Sequence, residues 1–204
     1  MRIPWRPSVV SCLALAAAAG VTAACSGSRN EARYGSASPR VVDPKQPIPK
    51  GGGAYKLGAP YQIDGRWYVP QEEPGYDRTG LASFYAEDFH GRRTSNGEIF
   101  DMWALTAAHP TLPLPSLAYV TNLENGRTLL VRLNDRGPYV NNRVIDLSRA
   151  TARYLGVEGP GLARVRVRYA GPAPLSGDDR REQRFLASQP WFQIRLARGP
   201  NDSR

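Results

Sequence analysis

Two acidic side chains in this sequence lie at turn-like positions where a carboxyl group could transfer protons. Asp135 follows the apolar run 129–131 in "TLLVRLNDRGP", so it stands where a predicted strand ends, and Glu98 ends the turn-like "TSNGE". A carboxyl on a turn beside a groove can act as a general acid or base if burial or a like charge raises its pKa. Asn, Asp and Gly-Pro also favour ordinary turns. From the residues alone, both interpretations remain open.

His109 and Asp146 have structural interpretations as well. The segment "WALTAAH", 103–109, predicts a short helix, and a cation at its end would be favoured by the helix dipole. Asp146 precedes a second predicted helix, 148–155, where Asp146 or Ser148 serves as the N-cap. The alternative is that Asp146 supports the catalytic acids without contacting substrate. With two His residues and no Cys at ligand spacing, we predict neither a metal site nor a cofactor.

The elements that must position these side chains are mostly short strands. Segment 163–170 alternates Val or Tyr with Arg, as a half-buried strand does. Asn125-Gly126 predicts a hairpin turn between two apolar runs. The expected strands are 79–86, 117–123, 128–134, 142–146 and 163–170. Many short strands with two short helices predict a mainly β protein, with a small barrel over residues 77–170.

The charge distribution argues against nucleic acid as a partner. The formal net charge is +9, but the basic residues are spread along the chain. Proteins that bind DNA or RNA usually concentrate this charge in one patch. A mildly basic protein facing anionic polymers or lipids is the simpler interpretation.

The N-terminal residues predict export and lipid anchoring. "MRIPWRPS" is basic, and the apolar stretch 9–24 is shorter than the roughly 20 residues of a membrane span, as in a signal peptide over 1–24. "VTAAC" resembles the lipobox of bacterial lipoproteins and predicts lipidation of Cys25, although Thr22 stands where Leu is usual. Ordinary secretion with nearby cleavage is the alternative. In many Gram-negative bacteria Asp after the lipidated Cys retains the protein in the inner membrane; because Ser26 follows here, we expect anchoring in the outer membrane, facing the periplasm.

The segments flanking the barrel differ in composition. Residues 25–54 are rich in Ser, Gly, Pro and charge and predict a disordered tether. Residues 55–76 predict a hairpin leader, turning at Asp64-Gly65, and a linker. Residues 171–204 form a tail too short for a second domain. The hairpin carries aromatic residues that either pack on the barrel or form a platform for sugar rings: Tyr61, Trp67 and Tyr68.

Two long blocks resemble the rare lipoprotein A family of septal-ring lytic transglycosylases. They are "GLASFYAEDFHGRRTSNGEIFDMWALTAAHPTLPLPS" and "VTNLENGRTLLVRLNDRGPYVNNRVIDLSRATARYLG", and the resemblance covers about residues 81–156. It implies a six-stranded double-psi β-barrel, the fold also found in expansins. It also implies action on peptidoglycan, with preference for glycan strands without stem peptides. Many relatives carry a C-terminal repeat domain that binds such strands, which residues 171–204 are too short to form.

The resemblance also implies which residues form the site. Asp135 matches the family's catalytic acid, Glu98 its second functional acid, and His109 a hydrogen-bond partner of these acids. One acid/base group can serve both steps of a lytic transglycosylase, because the sugar's own 6-hydroxyl attacks the anomeric carbon. Glu98 would then hold substrate or raise the pKa of Asp135 by like-charge proximity. The substrate-binding residues expected beside them are Tyr85, Arg136 and Asn96.

Together these features predict an endolytic transglycosylase that cleaves MurNAc-GlcNAc bonds of peptide-free murein and leaves 1,6-anhydro-MurNAc ends. We expect it to act in cell-wall remodelling and daughter-cell separation. Its expected partners are glycan strands, the membrane and cell-division proteins. The alternative is a non-catalytic, expansin-like lipoprotein that binds glycan and loosens the wall. The presence of both Glu98 and Asp135 favours the enzyme.

Overall fold

The computed structural model describes residues 38–85, 87–140 and 142–198. The predicted signal peptide, Cys25 and residues 25–37 of the predicted tether lie outside these ranges. The strands are β1 (Tyr61–Ile63), β2 (Arg66–Tyr68), β3 (Asp77–Tyr85), β4 (Thr106–Ala108), β5 (Ser116–Asn122), β6 (Thr128–Asp135), β7 (Arg143–Ser148) and β8 (Ala163–Pro172). The helices are α1 (Arg149–Leu155), α2 (Arg180–Ala187) and α3 (Pro190–Arg198).

Six of these strands close into a barrel in the order β3-β7-β4-β6-β5-β8. The pairs β3–β7 and β4–β6 are parallel, while the remaining pairs are antiparallel. Closure removes free sheet edges, which would otherwise invite pairing with other chains. The prediction of a mainly β, six-stranded double-psi barrel with short helices is confirmed.

The interior of the barrel is filled by aliphatic side chains. On β8 the valines are buried and the arginines between them are exposed, as the alternation predicted. Strand β6 is buried on both faces over most of its length, because Leu129, Val131 and Leu133 belong to the main core while Leu130 packs on the other face near Phe185 of α2. Fully buried members of this core include Val120, Val131, Leu133, Ile145, Leu147 and Val165.

The prediction of a helix over 103–109 is wrong. Thr106–Ala108 forms β4, which pairs in parallel with β6 and antiparallel with β7. Every residue of β4 is buried, so tertiary pairing outweighs the helix propensity of alanine. His109 therefore follows a strand and does not end a helix.

The second predicted helix is confirmed as α1. Ser148 is its N-cap, and the Ser148 hydroxyl accepts a hydrogen bond from the Thr151 backbone at 3.2 Å. Gly156 ends the helix in the left-handed conformation, with φ 77°. Asp146 is thus not the capping residue.

Residues 38–54 are not the disordered tether that their composition predicted. The Arg40 backbone bridges to Arg92, the Ala54 amide donates to the Asn96 carbonyl at 2.8 Å, and Gly51 is buried. A Cβ on Gly51 would lie 2.5 Å from the Ser176 carbonyl oxygen, so glycine is what permits this approach. We call residues 48–54 the strap, because they lie along the barrel.

The hairpin and the C-terminal helices also pack on the barrel. Tyr61 and Tyr68 stack with centroids 5.3 Å apart, and both contact Tyr139, whereas Trp67 is 64% exposed. Leu186 of α2 joins the main core. Within the described part of the chain, no helix has the length and apolar character needed to cross a membrane.

Candidate active site

The barrel register places two carboxyl groups on either side of the last residue of β4. Ala108 pairs with Asp135 on β6 and with Asp146 on β7. A bulge contributes to this register, because Ala107 pairs with Leu133 and the next residue of β4 pairs with Asp135, which leaves Asn134 extra. Neighbouring strands lie about 4.8 Å apart, so the two acidic backbones are separated by roughly 10 Å across a small alanine.

Both carboxyl groups line an open cleft of about 290 Å³. The floor comes from the ends of β3, β4, β6 and β7. The walls come from the loop after β3 and from the turn 94–98. Side chains lining it include Tyr85, Phe89, Thr94, Ser95, Arg136, Tyr139, Asp135 and Asp146. An open cleft in which a small number of polar groups converge is typical of a ligand-binding site.

Asp135 is held by one of its two carboxyl oxygens. Oδ1 accepts hydrogen bonds from the Ser95 amide (2.9 Å), the Ser95 hydroxyl (2.6 Å) and the Arg136 amide (2.8 Å). Oδ2 accepts none from any residue the structure describes. Burial raises the pKa of Asp135, and these hydrogen bonds and the Arg136 charge only partly oppose it. The group is therefore fixed in orientation, inclined to keep its proton, and left with one oxygen for a substrate.

Asp146 is a second carboxyl of the cleft, which the sequence interpretation did not include among the site residues. It accepts a 2.6 Å hydrogen bond from the Ser83 hydroxyl, and the Arg143 guanidinium lies 3.4 Å from its other oxygen. Burial raises the pKa of Asp146, and the charge of Asp135 raises it further. Ser83 and Arg143 partly oppose these effects, so Asp146 and Asp135 form a pair in which the charge of one carboxyl hinders ionisation of the other.

Tyr85, predicted to bind substrate, lies in this cleft. Its ring packs against Phe100 with centroids 4.4 Å apart. Its hydroxyl is buried and has no partner among the described residues. Burial, together with the charges of Asp135 and Asp146, places the pKa of Tyr85 well above its usual value. The hydroxyl is thus a neutral donor close to both acids.

Glu98 is separated from the cleft acids. Arg132 donates to both Glu98 oxygens, from Nε (3.0 Å) and Nη2 (2.5 Å), and Asn134 and Asn96 each donate at 3.0 Å. Burial alone would raise the pKa of Glu98, but these hydrogen bonds and the Arg132 charge outweigh it and lower the pKa. The predicted like-charge effect of Glu98 on Asp135 is not what the structure shows, since burial raises the pKa of Asp135.

The geometry gives Glu98 an indirect link to Asp135 through the turn 94–98. The Thr94 amide donates to the Glu98 carbonyl at 2.8 Å, and Ser95 between them bonds Asp135. Anchoring Glu98 on Arg132 thus fixes the turn that holds the catalytic candidate. In this arrangement Glu98 is a positioning residue.

His109 does not bond either acid through its ring. Nε2 lies 2.9 Å from the Tyr76 hydroxyl, and Nδ1 accepts from the amides of Thr111 (3.2 Å) and Leu112 (3.0 Å). Burial, aided by the Arg136 charge, lowers the pKa of His109 to about 3. His109 is therefore neutral at ordinary pH and holds a turn; its backbone amide donates to the Asp135 carbonyl oxygen. The structure corrects the prediction that its side chain partners the acids.

Asn96 and Arg136 also have structural partners. The Asn96 amide bonds within the turn, accepting from Thr94 at 2.8 Å and donating to Glu98, so it does not line the cleft. Arg136 lines the cleft, but its guanidinium donates to the carbonyls of Leu57 (2.7 Å) and Leu112 (2.5 Å). Both side chains thus hold the turn or join loops, and Arg136 does so while lining the cleft. Their role in substrate binding stays a prediction.

Among the described residues, no group of three or more His, Cys, Asp or Glu side chains is placed to hold a metal ion. The chemistry available in the cleft is that of two carboxyl groups with raised pKa values and a phenol. That set can donate a proton to a leaving oxygen and recover one from an attacking hydroxyl.

Comparison with known proteins agrees with this chemistry. Residues 77–167 match the family described as lytic transglycolase. The chain is 46% identical over 132 residues to the endolytic peptidoglycan transglycosylase RlpA of Pseudomonas aeruginosa strain UCBPP-PA14, covering 64% of this chain and 39% of that one. It is 50% identical over 108 residues to the protein of that name from Vibrio cholerae, covering 52% and 41% of the two chains.

The chain thus spans less than half the length of these two relatives. Among solved structures, the Streptomyces papain inhibitor aligns with a TM-score of 0.41 and 22% identity, over 49% of this chain and 99% of that one.

Proposed function

We propose that the chain, whose residues 77–167 match the lytic transglycolase family, is an endolytic peptidoglycan lytic transglycosylase. Its substrate would be the MurNAc-GlcNAc bond of glycan strands without stem peptides. The observation that carries the proposal is Asp135, a half-buried carboxyl in an open cleft that has a raised pKa and one oxygen without a hydrogen bond from the described residues. The names of the relatives supply the substrate class.

The proposed reaction uses Asp135 twice. Protonated Oδ2 donates to the glycosidic oxygen as the bond from that oxygen to the MurNAc anomeric carbon breaks. The 6-hydroxyl oxygen of the same MurNAc then bonds the anomeric carbon, and its proton returns to Asp135. Atoms balance without water, so the products are a 1,6-anhydro-MurNAc end and a free GlcNAc 4-hydroxyl.

Asp146 and Tyr85 would assist this cycle from the other side of the cleft. When Asp146 is ionised, its negative charge near Asp135 favours the protonated form of Asp135 that the first step requires. Its charge also favours the positive charge that develops on the sugar as the bond breaks. The Tyr85 hydroxyl, which has no partner among the described residues, can donate to a sugar oxygen.

Mass spectrometry of the products tests the function directly. Incubating the chain with peptide-free murein should release fragments that end in 1,6-anhydro-MurNAc. Reducing ends alone would indicate hydrolysis, for which retaining and inverting enzymes use paired carboxyl groups. Binding without any released fragment would favour the non-catalytic, wall-loosening alternative.

Replacing Asp146 with Asn should shift the pH dependence of cutting. Asp135 must be protonated to donate, so activity falls as pH rises through the Asp135 pKa. Without the like charge of Asp146, that pKa drops and the alkaline limb should move to lower pH. Activity at acidic pH should stay within about tenfold of the original. A pH–rate profile checks this, and an unshifted alkaline limb would contradict the role of Asp146.

We further propose lipid anchoring of this enzyme at Cys25 in the outer membrane, facing the periplasm, where it would act in wall remodelling and daughter-cell separation with division proteins as partners. Support comes from "VTAAC" and from Ser26 after the predicted cleavage site. Stable anchoring generally needs more than one acyl chain, which a triacylated cysteine would provide.

Replacing Cys25 with Ser should therefore release the processed chain from membranes. Cell fractionation should find the unaltered protein with the outer membrane and the Cys25→Ser protein in the soluble periplasmic fraction. If the variant, after removal of the signal peptide, stayed wholly in the membrane fraction, the anchor proposal would be wrong. A Cys12→Ser variant is the matched control and should remain anchored.

A further inference from the structure

A second cavity, of about 60 Å³, lies beside the turn 94–98. Thr94 and Ser95 line the cleft described above, whereas Glu98 lines this cavity. Strap residues 48–51 and helix α2 complete its wall. None of the roles proposed so far uses this space.

The cavity is lined by buried polar atoms that lack partners. Within the described residues, no hydrogen bond reaches Thr106 Oγ1, Arg132 Nη1, Asn134 Oδ1 or either carboxyl oxygen of Glu182. These side chains belong to residues that are at most 6% exposed. Leaving such a group unsatisfied destabilises the folded state, so a set of them around one space indicates an occupant.

The charges around the cavity favour a neutral occupant. Arg132 is paired with Glu98, and Lys50 is paired with Asp179 at 2.8 Å. Burial raises the pKa of Glu182, which inclines this carboxyl to hold its proton. Asp101 remains at the rim, with its side chain 32% exposed. The described residues offer no metal-binding cluster here.

The arrangement of donors and acceptors matches an amide with a methyl group. Arg132 Nη1 can donate to a carbonyl oxygen, and Asn134 Oδ1, two residues along the same strand, can accept from an N–H. Thr106 is paired with Arg132 in the barrel register, so its hydroxyl faces the same space. Apolar side chains beside them can cover a methyl group: Ile48, Ile99 and Leu105.

We propose that this cavity, the amide pocket, binds the acetamido group of an N-acetylated amino sugar. The choice of sugar rests on the proposed function, since murein strands carry such a group on every residue. The pocket would hold a sugar beside the one that is cleaved, and it would select against strands whose amino groups have lost their acetyl.

Entry would pass the strap. The Lys50–Asp179 ion pair lies at the wall of the pocket, and the Lys50 side chain is 65% exposed. Exposed ion pairs are weak and screened by salt. This ion pair is therefore a weak contact in the wall of the pocket.

NMR titration of the full chain tests the pocket separately from cutting. The probes are methyl 2-acetamido-2-deoxyglucoside, its amine analogue without the acetyl group, and acetamide. The acetamido glycoside should cause saturable shifts of the Arg132 Nε–H and the Asn134 side-chain amide, and the amine should not. Shifts with acetamide but not with the acetamido glycoside would overturn the sugar assignment. No shift with any probe up to its solubility limit would mean that the cavity holds only water, and the proposal would be wrong.

Thr106→Val gives a variant whose fold should survive. Because the Thr106 hydroxyl has no hydrogen-bond partner in the part of the chain that the structure describes, its removal should leave the melting temperature equal or higher. Binding of the acetamido glycoside should weaken about five- to tenfold through loss of one hydrogen bond. Ser116→Ala is the matched control, since its hydroxyl is also buried and unpartnered but lies outside the pocket. Unchanged binding by Thr106→Val would contradict the proposal.

An Asp135→Asn variant separates the two proposals. It should bind the acetamido glycoside as the unaltered chain does, even though it should not cut murein. Cutting without binding at the pocket would overturn the amide pocket alone. Binding without any cutting by the unaltered chain would overturn the transglycosylase assignment while leaving the pocket in place.

Discussion

Replacing Asp135 with Asn should lower the release of glycan fragments by about 10²–10⁴-fold, the usual contribution of one general acid/base group. Asn can still accept the hydrogen bonds that Ser95 and the Arg136 amide give to Oδ1. It cannot supply the proton that the leaving oxygen needs. The rate of appearance of 1,6-anhydro ends, followed by mass spectrometry at several pH values, measures the effect.

The stability of this variant distinguishes catalysis from turn formation. A carboxyl whose pKa is higher in the folded than in the unfolded state stabilises the folded state at pH values below its unfolded pKa, near 3.8. This stabilisation is lost as the pH rises through the pKa of the folded state. At neutral pH the Asn variant should therefore melt at the same or a higher temperature. Cutting at the original rate would refute the catalytic role. A variant that no longer folds would instead mean that the carboxylate mainly holds the loop.

The barrel was predictable because its strands repeat a simple pattern. Segment 163–170 alternates valine with arginine, and that period places one face in the core and the other in water. Strand β4 could not be predicted in the same way. Its sequence, Thr-Ala-Ala, is buried on both faces and has no alternation, so only pairing with β6 and β7 makes it a strand.

The partners of each site residue were less predictable than the residues themselves. Asp146 precedes a helix, which suggested a cap, but Ser148 takes that role and the barrel register turns Asp146 toward Asp135. One signal was available: an acid inside the strand-like run "VIDLS" must be buried with partners. Arg132, which binds Glu98, lies 34 positions away in the chain, and nothing local to either residue indicates the pair.

The composition of residues 38–54 wrongly predicted disorder for a related reason. Gly, Pro and Ser reduce the tendency to form helices or strands, which predicts disorder when no apolar face is present. Here glycine instead allows the strap to approach Ser176 and Gly177 closely. The strap and α2 together enclose the amide pocket, so this segment is part of the domain that the barrel motifs define.

Replacing Glu98 with Gln should be among the most destabilising single changes in the barrel. The variant would leave the buried Arg132 guanidinium without a counter-charge, and the new amide NH₂ would face donors from Arg132 or Asn96. Breaking one side of a buried ion pair typically lowers the free energy of unfolding by 3–5 kcal/mol, and about that loss is expected here. Denaturant unfolding at neutral pH measures it.

The pH dependence of that loss follows from the lowered pKa of Glu98. A carboxyl whose pKa is lower in the folded than in the unfolded state stabilises the folded state at pH values above its unfolded pKa, near 4.5. This stabilisation disappears as the pH falls through the pKa of the folded state. The difference between the original chain and Glu98→Gln should therefore shrink below about pH 4.5. Asp77→Asn, which breaks the exposed pair with Arg166, is the control and should change stability little at any pH.

Cutting by Glu98→Gln decides whether Glu98 positions or reacts. If it acts only by holding the turn that carries Ser95, then at temperatures where the variant is folded its rate should fall far less than that of Asp135→Asn. The alkaline limb of its pH–rate profile should also stay close to that of the unaltered chain, because Glu98 does not share the cleft with Asp135. A loss as large as that of Asp135→Asn in fully folded protein would place Glu98 in direct contact with the reacting sugar.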